Sequence, residues 1–334
     1  MAEKVPFPNV LKALTNPDAN FPARLLPEFS DLPAGDLALL TKAWPQVAVN
    51  RKRNLLRDLN DRYRDDSLLS FHEVAKLFIE DPDPLVRAQA VRLLEETNDV
   101  RLLPRLIELG LHDPDMGVRT ETATVLGEFV QLGELEAIPA DRKEQVEEIL
   151  LKDAREEHNA HLQRAALESL GYSSRPEVAE LIESAFEHPD PLWTASALLA
   201  MSRSADARWQ DQVLISLNHE DSQVRLVAAQ AAGELELKAA RQPLLAMLDE
   251  EEDDEVLEAT IWSLSQIGGE DVRTYLQALL DAAEDEDQVG FLEDALTNLS
   301  FTEDLEGFDL MAYDPDDELD ELDELDESGD EEKE

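Results

Sequence analysis

The 334-residue sequence contains no cysteine, and only 5% of its residues are aromatic. The missing thiols exclude disulfide bonds, thiolate catalysis and cysteine-ligated metal sites. The few aromatics and the 12 glycines disfavour a strand-rich fold, which needs aromatic and β-branched side chains and frequent tight turns. Leucine and alanine are abundant instead, and both lose little entropy on entering a helix. The composition therefore predicts an all-helical protein, in which 43% hydrophobic residues suffice to form a core.

Positive charge is also scarce, because 29 lysine and arginine residues stand against 77 aspartate and glutamate residues, a net charge of −48. Nucleic acids and anionic membranes attract basic surfaces, so we expect neither as a partner. A basic protein partner, solubility through self-repulsion and adaptation to a saline habitat each account for the acidity. The sequence leaves these three explanations open.

Long apolar segments are absent as well. No run of about 18 uncharged apolar residues occurs, as a membrane-spanning helix would require. The first residues, MAEKVPFPNV, lack the apolar stretch of a signal peptide. We therefore expect a cytoplasmic protein without a membrane span.

What the sequence does contain is an internal repeat. The segments DPDPLVRAQAVRLLEE, DPDMGVRTETATVLGEF and HEDSQVRLVAAQAAGEL each place a polar turn before Val-Arg. With the valine taken as an anchor, the series is Val86, Val118, Leu162, Trp193, Val224 and Val256, extended by Phe291 and more loosely by Arg51. Successive anchors are 31 to 35 residues apart, except for one gap of 44. Such a period predicts a repeat architecture.

Each repeat is predicted to be two helices, A and B, joined by a short Asp/Pro turn. The anchor and the positions four and eight residues later (+4 and +8) share one face of a helix and form an apolar stripe, so Trp193 is predicted to be a core residue. The A helices are predicted over residues 100–111, 176–186, 207–217, 239–248 and 272–280. The gap of 44 is predicted to hold a longer loop, 133–139, and a longer A helix. One pair cannot bury its own stripe, so the pairs must stack.

These residues, in the pattern D-P-D-x-x-V-R-x-x-A-x-x-x-L-G, resemble the HEAT-repeat family, especially the HEAT-like repeats of phycobilisome lyases. The whole chain resembles uncharacterised bacterial HEAT-repeat proteins with an acidic C-terminal tail. The resemblance implies an all-α, right-handed α–α superhelix, a solenoid of about eight helix pairs. It implies a fold and no activity. The predicted domains are an N-terminal helical cap (1–32), a HEAT-repeat solenoid (33–308) and an acidic tail (309–334).

The tail is the most acidic part of the sequence. From Asp309 it contains 15 acidic residues and one lysine, a net charge of −14. Dense like charge repels itself, so the tail is predicted to be disordered. It either keeps the protein soluble or attracts a basic partner. A further hypothesis is that it docks in cis on the arginine-rich segment 51–64.

The resemblance implies that the B helices line the concave side of the solenoid, which makes their exposed positions +2, +3, +6 and +10 candidates for binding. Tryptophan and arginine are frequent hot spots of interfaces. Trp262 is interpreted either as such an anchor or as a core side chain between repeats. The candidate protein-binding residues are Arg53, Arg57, Arg92, Leu199, Leu226, Val227, Gln230 and Trp262.

Catalysis is not expected. The deoxyhypusine hydroxylases resemble this repeat and bind two irons through several His-Glu pairs, whereas here such pairs occur only at His72 and His219. Nothing marks the bilin site of a phycobilin lyase. His158 and His161 are three residues apart on a predicted helix but lack further ligands nearby. We predict no catalytic residue, no cofactor and no metal.

The sequence thus predicts a non-enzymatic protein-binding scaffold or adaptor that uses its concave B-helix surface to hold a basic protein or peptide. One alternative is an assembly or chaperone-like accessory factor that acts through the acidic tail. A second is a metal-dependent hydroxylase or a lyase-like enzyme. The sequence does not indicate an oligomeric state.

Overall fold

A computed structural model describes residues 5–66, 68–155 and 159–309 of the chain. All regular secondary structure in these ranges is helical, and no strand occurs within them. The chain divides between Asp206 and Ala207 into two compact units, here the first and second unit. The predicted all-α class is confirmed. The predicted tail lies outside the described residues from position 310 onward, and the proposed boundaries at 32 and 308 stay predictions.

The first unit contains eleven α-helices in its described residues. They are α1 (Phe7–Thr15), α2 (Ala34–Ala43), α3 (Val49–Asp65), α4 (His72–Phe78), α5 (Pro84–Arg92), α6 (Leu103–His112), α7 (Met116–Glu134), α8 (Ala140–Ala154), α9 (Ala160–Leu170), α10 (Pro176–Phe186) and α11 (Pro191–Arg203). The second unit has six within its described part. They are α12 (Gln210–Ser216), α13 (Ser222–Glu234), α14 (Arg241–Glu250), α15 (Asp254–Ile267), α16 (Glu270–Ala282) and α17 (Glu286–Asp309).

Each unit is a stack of the predicted helix pairs. In the first unit the A helices α4, α6, α8 and α10 pack on the B helices α5, α7, α9 and α11. In the second unit α12, α14 and α16 pack on α13, α15 and α17. Within each unit, successive B helices also contact one another. Neighbouring pairs therefore cover the apolar stripes that a single pair leaves open.

The predicted A helices are confirmed to within a few residues. Residues 176–186 coincide with α10, and short 3-10 turns precede α6, α12 and α14 within the predicted ranges. The A helix in the gap of 44 is longer, as expected, because α8 has 15 residues. The expected loop start at Gly133 is wrong, since α7 continues to Glu134.

Aspartates begin the B helices by capping their first free N–H groups. The Asp83 and Asp115 carboxylates accept from the backbone N–H groups of Val86 and Val118, and Asp253 does the same for Val256. Such caps stabilise a helix by about 1 kcal/mol each. The polar turn of the repeat is thus the start signal of its B helix.

The six anchors from Val86 to Val256 lie in the core with one correction. Val86, Val118, Leu162 and Val224 are fully buried, and Val256 is 1% exposed. Trp193 is only partly buried, and its indole lies 5.2 Å from the His188 ring. An indole extends further than the Val or Leu side chains at the other anchors, so it reaches the surface.

Glycine at +9 marks the closest approach of neighbouring B helices. A Cβ atom on Gly127 would lie 2.8 Å from Ser169 Oγ, one on Gly171 would lie 2.7 Å from Ala200 Cα, and one on Gly233 would lie 2.8 Å from Ser263 Cα. In each case the opposing small residue is at +7 of the next repeat. The +9 glycine therefore sets the spacing of the B helices.

Among the described helices, not one combines the length and the apolar character that crossing a bilayer requires.

Candidate functional site

The three candidate arginines of the first unit all contact the chain's own carboxylates. Arg53 forms two hydrogen bonds to Asp83, of 3.0 and 2.6 Å. Arg92 forms a bidentate ion pair with Glu121, in which Nε lies 3.0 Å from Oε2. Arg57, whose side chain is 62% exposed, lies 3.3 Å from the neighbouring Asp58. The positive charge of these three candidate arginines is thus largely neutralised by carboxylates of the chain itself.

Other basic residues of the arginine-rich segment 51–64 also contact partners within the chain. Lys52 and Asp81 are both buried and 2.6 Å apart. The Arg51 guanidinium donates to the carbonyl of Ala19, and Arg62 lies 3.2 Å from Asp66. The acidic tail lies outside the described residues, so its docking here stays a hypothesis. It would have to compete with these internal partners.

Val227 corrects the predicted exposed pattern. It is only 9% exposed, so the expectation that it is an exposed side chain is wrong. The +3 position of a B helix is where neighbouring B helices of one unit meet. In the first unit, Glu121 at +3 pairs with Arg92 at +6 of the repeat before. Leu199, another candidate residue, is at +6 of α11 and is half-buried.

The same contact between +6 and +3 recurs farther along the first unit. The Ser196 hydroxyl at +3 donates to the Glu168 carboxylate at +6, at a distance of 2.5 Å. Burial raises the pKa of Glu168, against the lowering effect of this hydrogen bond. Polar contacts thus fill two of the seams between B helices, where a seam is the line along which two neighbouring B helices meet.

In the second unit, three candidate residues meet in one groove. Leu226 and Gln230 on α13 and Trp262 on α15 line an open groove of about 490 Å³ together with Phe291 on α17. Trp262 is 40% exposed, which agrees with its interpretation as a surface residue. Its role in binding stays a prediction.

Helical spacing brings these side chains to one surface. Leu226, Gln230 and Glu234 are four residues apart and form one row along α13, because residues at i and i+4 share a helix face. Glu258 and Trp262 form the facing row on α15, with the same spacing. The close approach of α13 and α15 at the Gly233 position aligns the two rows.

The groove is open because its seam is unfilled. Gln230 is at +6 of α13 and Ala259 is at +3 of α15, the positions that hold Arg92 and Glu121 in the first unit. Both Gln230 and Ala259 line the groove. The methyl group of Ala259 is too short to bridge the space that an ion pair fills in the first unit.

An aromatic pair forms the apolar floor. The Trp262 and Phe291 ring centroids are 6.5 Å apart, with ring planes tilted by 33°. Phe291 is half-buried, although an anchor position favours the core. Sequence reasoning therefore missed it as a groove residue. The available signal was its place at the end of the repeat series, where fewer neighbours cover an anchor.

Three carboxylates form the rim. Among the described residues, Glu234, Glu255 and Glu258 line the groove, and no lysine or arginine does. Within residues 5–66, 68–155 and 159–309, no side chain forms an ion pair with these three. Elsewhere in the second unit, by contrast, Arg225 binds Glu251. The groove is therefore apolar at its floor and negative at its edge.

The histidines do not assemble into a metal site in the described part of the chain. No group of three potential ligands from His, Asp and Glu converges there. The His219 ring caps a turn by accepting from the Asp221 backbone N–H at 3.0 Å. His72 is half-buried, and burial lowers its pKa. His158 lies outside the described residues.

Comparison with solved structures finds helical proteins of low identity. The CpcE–CpcF complex of phycocyanin lyase from Nostoc sp. PCC7120 is 16% identical, with 90% of this chain and 99% of that chain covered and a TM-score of 0.49. Kap95p bound to RanGDP is 14% identical, with 88% and 50% covered and a TM-score of 0.42. Human deoxyhypusine hydroxylase is 18% identical, with 78% and 95% covered and a TM-score of 0.34.

No curated protein sequence matches the chain. The family profile of the HEAT repeats does match, over residues 73–140 and 210–290. The first range contains the pairs α4/α5 and α6/α7, and the second contains most of the second unit, including Trp262. The resemblance read from the Val-Arg repeats is confirmed, and these two segments of the chain are HEAT repeats.

Proposed function

We propose that this chain is a non-enzymatic protein-binding scaffold whose second unit holds a basic segment of a partner in the Trp262 groove. The observation that supports this most directly is Trp262 itself, a 40% exposed indole next to Phe291 in a groove with an acidic rim. Exposed tryptophans in pockets are typical hot spots of protein interfaces. Stacked repeats suit this role because they offer an extended, quasi-linear surface.

Charge selects the kind of partner. The rim offers the carboxylates of Glu234, Glu255 and Glu258, and the whole chain carries a net charge of −48. Like charge disfavours two occupants that the chain itself could supply, its own acidic tail and a second copy. A partner segment with lysine or arginine beside an apolar side chain matches both the rim and the floor.

A peptide selection tests the proposal. Peptides selected on the immobilised full-length protein from a random display library should be enriched in basic residues next to an apolar one. Trp262→Ala should weaken the selected peptides by about 2 kcal/mol, or roughly thirtyfold, as truncation of a hot spot does. Calorimetric titration of wild type and variant measures the difference.

A matched control is available in the same unit. Ile215 on α12 is 72% exposed and lies outside the groove, so Ile215→Ala removes an exposed apolar side chain without changing the groove lining. Because Ile215 does not line the groove, the peptide affinities of this variant should equal those of wild type. Peptides that bind Trp262→Ala as tightly as wild type would refute the groove as the binding site.

The acidic tail supports a second candidate, an assembly or chaperone-like accessory factor. Its net charge of −14 over residues 309–334 favours electrostatic capture of a basic protein. Binding through the tail should vanish on truncation after Phe308 and should collapse at high salt. Binding in the groove should survive the truncation and keep its apolar part at high salt.

The absence of enzymatic activity is part of the proposal. It is tested by the iron content of the purified protein, because the hydroxylase alternative requires a bound metal. Stoichiometric iron would favour that alternative.

A further inference from the structure

We infer that the groove of the second unit recognises arginine, whose guanidinium stacks on Trp262 and donates to the carboxylates of Glu258 and Glu255. The inference rests on the proposed function, because it names the side chain that the groove takes from its partner. It follows from a comparison of two sets of B-helix carboxylates in the described residues. Some form an ion pair with an arginine of the chain, whereas those that line the groove form none.

Elsewhere the chain supplies an arginine for two carboxylates of its B helices, one in each unit. Arg92 binds Glu121 between α5 and α7, and Arg273 binds Glu303 between α16 and α17. The Arg92 pair is fork-like, because Nε and an Nη nitrogen donate to the two carboxylate oxygens of Glu121. Planar guanidinium groups match carboxylates in this geometry.

The seam between α13 and α15 lacks that arginine. Its +6 position holds Gln230 and its +3 position holds Ala259, so neither a cation nor a carboxylate fills the contact. The groove carboxylates nevertheless remain at its edge. A guanidinium from outside would therefore enter a space that an internal ion pair fills in the first unit.

The aromatic floor favours the same group. Glu258 lies one helical turn before Trp262, and residues at this spacing have Cβ atoms about 5–6 Å apart. A guanidinium lying flat on the indole can direct its edge N–H groups to a carboxylate at that distance, because stacking uses its face and hydrogen bonding its rim. Lysine offers a point charge without a plane, so it cannot satisfy both contacts in this geometry.

The four tryptophans make the test direct. Proton–nitrogen correlation spectra of the full-length protein resolve the indole N–H signals, and Trp262→Phe assigns the signal of Trp262. The probes are the N-acetyl methylamides of arginine, of lysine and of citrulline, the neutral isostere of arginine. We expect the arginine probe to shift the Trp262 signal saturably, the lysine probe to bind more weakly, and the citrulline probe to give no saturable shift.

Carboxylate variants identify the anionic partner. The double variant Glu255→Gln/Glu258→Gln should weaken the arginine probe about tenfold, as expected for the loss of charge-assisted hydrogen bonds. Glu252→Gln is the matched control, since Glu252 is exposed on the turn before α15 and does not line the groove. It should bind the arginine probe as wild type does.

Two results would overturn the inference. One is a citrulline probe that binds as well as arginine, which would mean that stacking alone drives binding. The other is unchanged arginine binding in the double variant. Neither result touches the proposed function, which fails only if the selected peptides ignore Trp262→Ala.

Discussion

The arginine that follows the valine anchors Val86, Val118 and Val224 is a structural clamp. Arg225 donates to the carbonyls of His219 and Glu220 in its own turn, at 2.9 and 3.1 Å. It also binds Glu251 in the turn of the next repeat through two hydrogen bonds of 2.6 and 2.8 Å. One side chain thus fixes two successive turns. The Val-Arg signature of the sequence therefore reports stacking of the repeats and leaves no free cation at this position.

Breaking this clamp should destabilise the second unit in a pH-dependent way. The hydrogen bonds from Arg225 lower the pKa of Glu251 from 4.5 to about 2. A lowered carboxyl pKa stabilises the fold above the unfolded value near 4.5, and this stability is lost as the pH falls toward 2. Glu251→Gln should therefore cost about 1–3 kcal/mol at pH 7, the size of a hydrogen bond to a charged group.

Hydrogen exchange of the α13 and α15 amides measures this cost within the intact chain. Glu252→Gln serves again as the control, because its exposed side chain lies next to the clamp without joining it. The difference between Glu251→Gln and wild type should shrink as the pH is lowered from 4.5 toward 2. A difference that stays constant over this range would show that the ion pair contributes nothing.

At the scale of the helix, the space around a glycine decides whether its replacement by alanine stabilises or destabilises the fold. Gly233 and Gly290 both lie inside α-helices, where glycine costs about 1 kcal/mol relative to alanine. A Cβ on Gly233 would lie 2.8 Å from both Cα and Cβ of Ser263, whereas a Cβ on Gly290 would meet no atom within 4 Å. Gly233→Ala should push α13 from α15 and cost about 1–3 kcal/mol through overpacking.

Gly290→Ala is the internal control, and it should stabilise α17 by about 1 kcal/mol because only the propensity changes. Hydrogen exchange of the α13 and α17 amides measures the expected loss of stability in Gly233→Ala and the expected gain in Gly290→Ala. Stabilisation by Gly233→Ala would mean that the neighbouring helix gives way easily. In that case the +9 glycine would not set the spacing.

Spacing along the sequence sufficed to place the helix pairs. The 31-to-35-residue period and the apolar stripe fix which residues form A and B helices, since both depend on neighbours close in sequence. The exposure of the +6 position was predictable in the second unit, although Leu199 at +6 in the first unit is half-buried. Gln230 and Trp262 are exposed as expected.

Contacts between repeats were harder to foresee. The +3 position of Val227 looks exposed on an isolated helix, yet the side chain is only 9% exposed. The Arg92–Glu121 pair that fills one seam, and the Ala259 that leaves another open, depend on residues about 30 positions apart. One sequence does not reveal how such distant residues pair. The groove could therefore be predicted as a surface but not as a cavity.

At the scale of the whole molecule, charge is the dominant property. Internal pairs use many of the 29 basic residues, so the excess of acidic groups faces solvent. The tail contributes −14 of the net −48, which leaves −34 on the rest of the chain. Uniform like charge destabilises a compact state through self-repulsion. The same charge attracts a basic partner over a distance set by the ionic strength.

Salt should therefore move stability and binding in opposite directions. The screening length falls from about 10 Å at 0.1 M salt to about 3 Å at 1 M, so repulsion across the surface weakens and the free energy of unfolding rises. The selected basic peptides should bind more weakly over the same range, because their attraction to the rim is screened. Thermal unfolding and calorimetric titration in potassium chloride measure the two trends.

The dependence of the free energy of unfolding on salt concentration separates the explanations of the acidity. Screening is nearly complete once its length approaches the distance between paired charges, so stability should level off near 1 M salt if self-repulsion is the cause. Adaptation to a saline habitat predicts a further rise at higher salt. Trp262→Ala controls for the groove, since it should keep the salt dependence of unfolding and lose that of peptide binding. A free energy of unfolding that falls with salt would show that internal ion pairs outweigh the repulsion, and the excess negative charge would then be no burden on the fold.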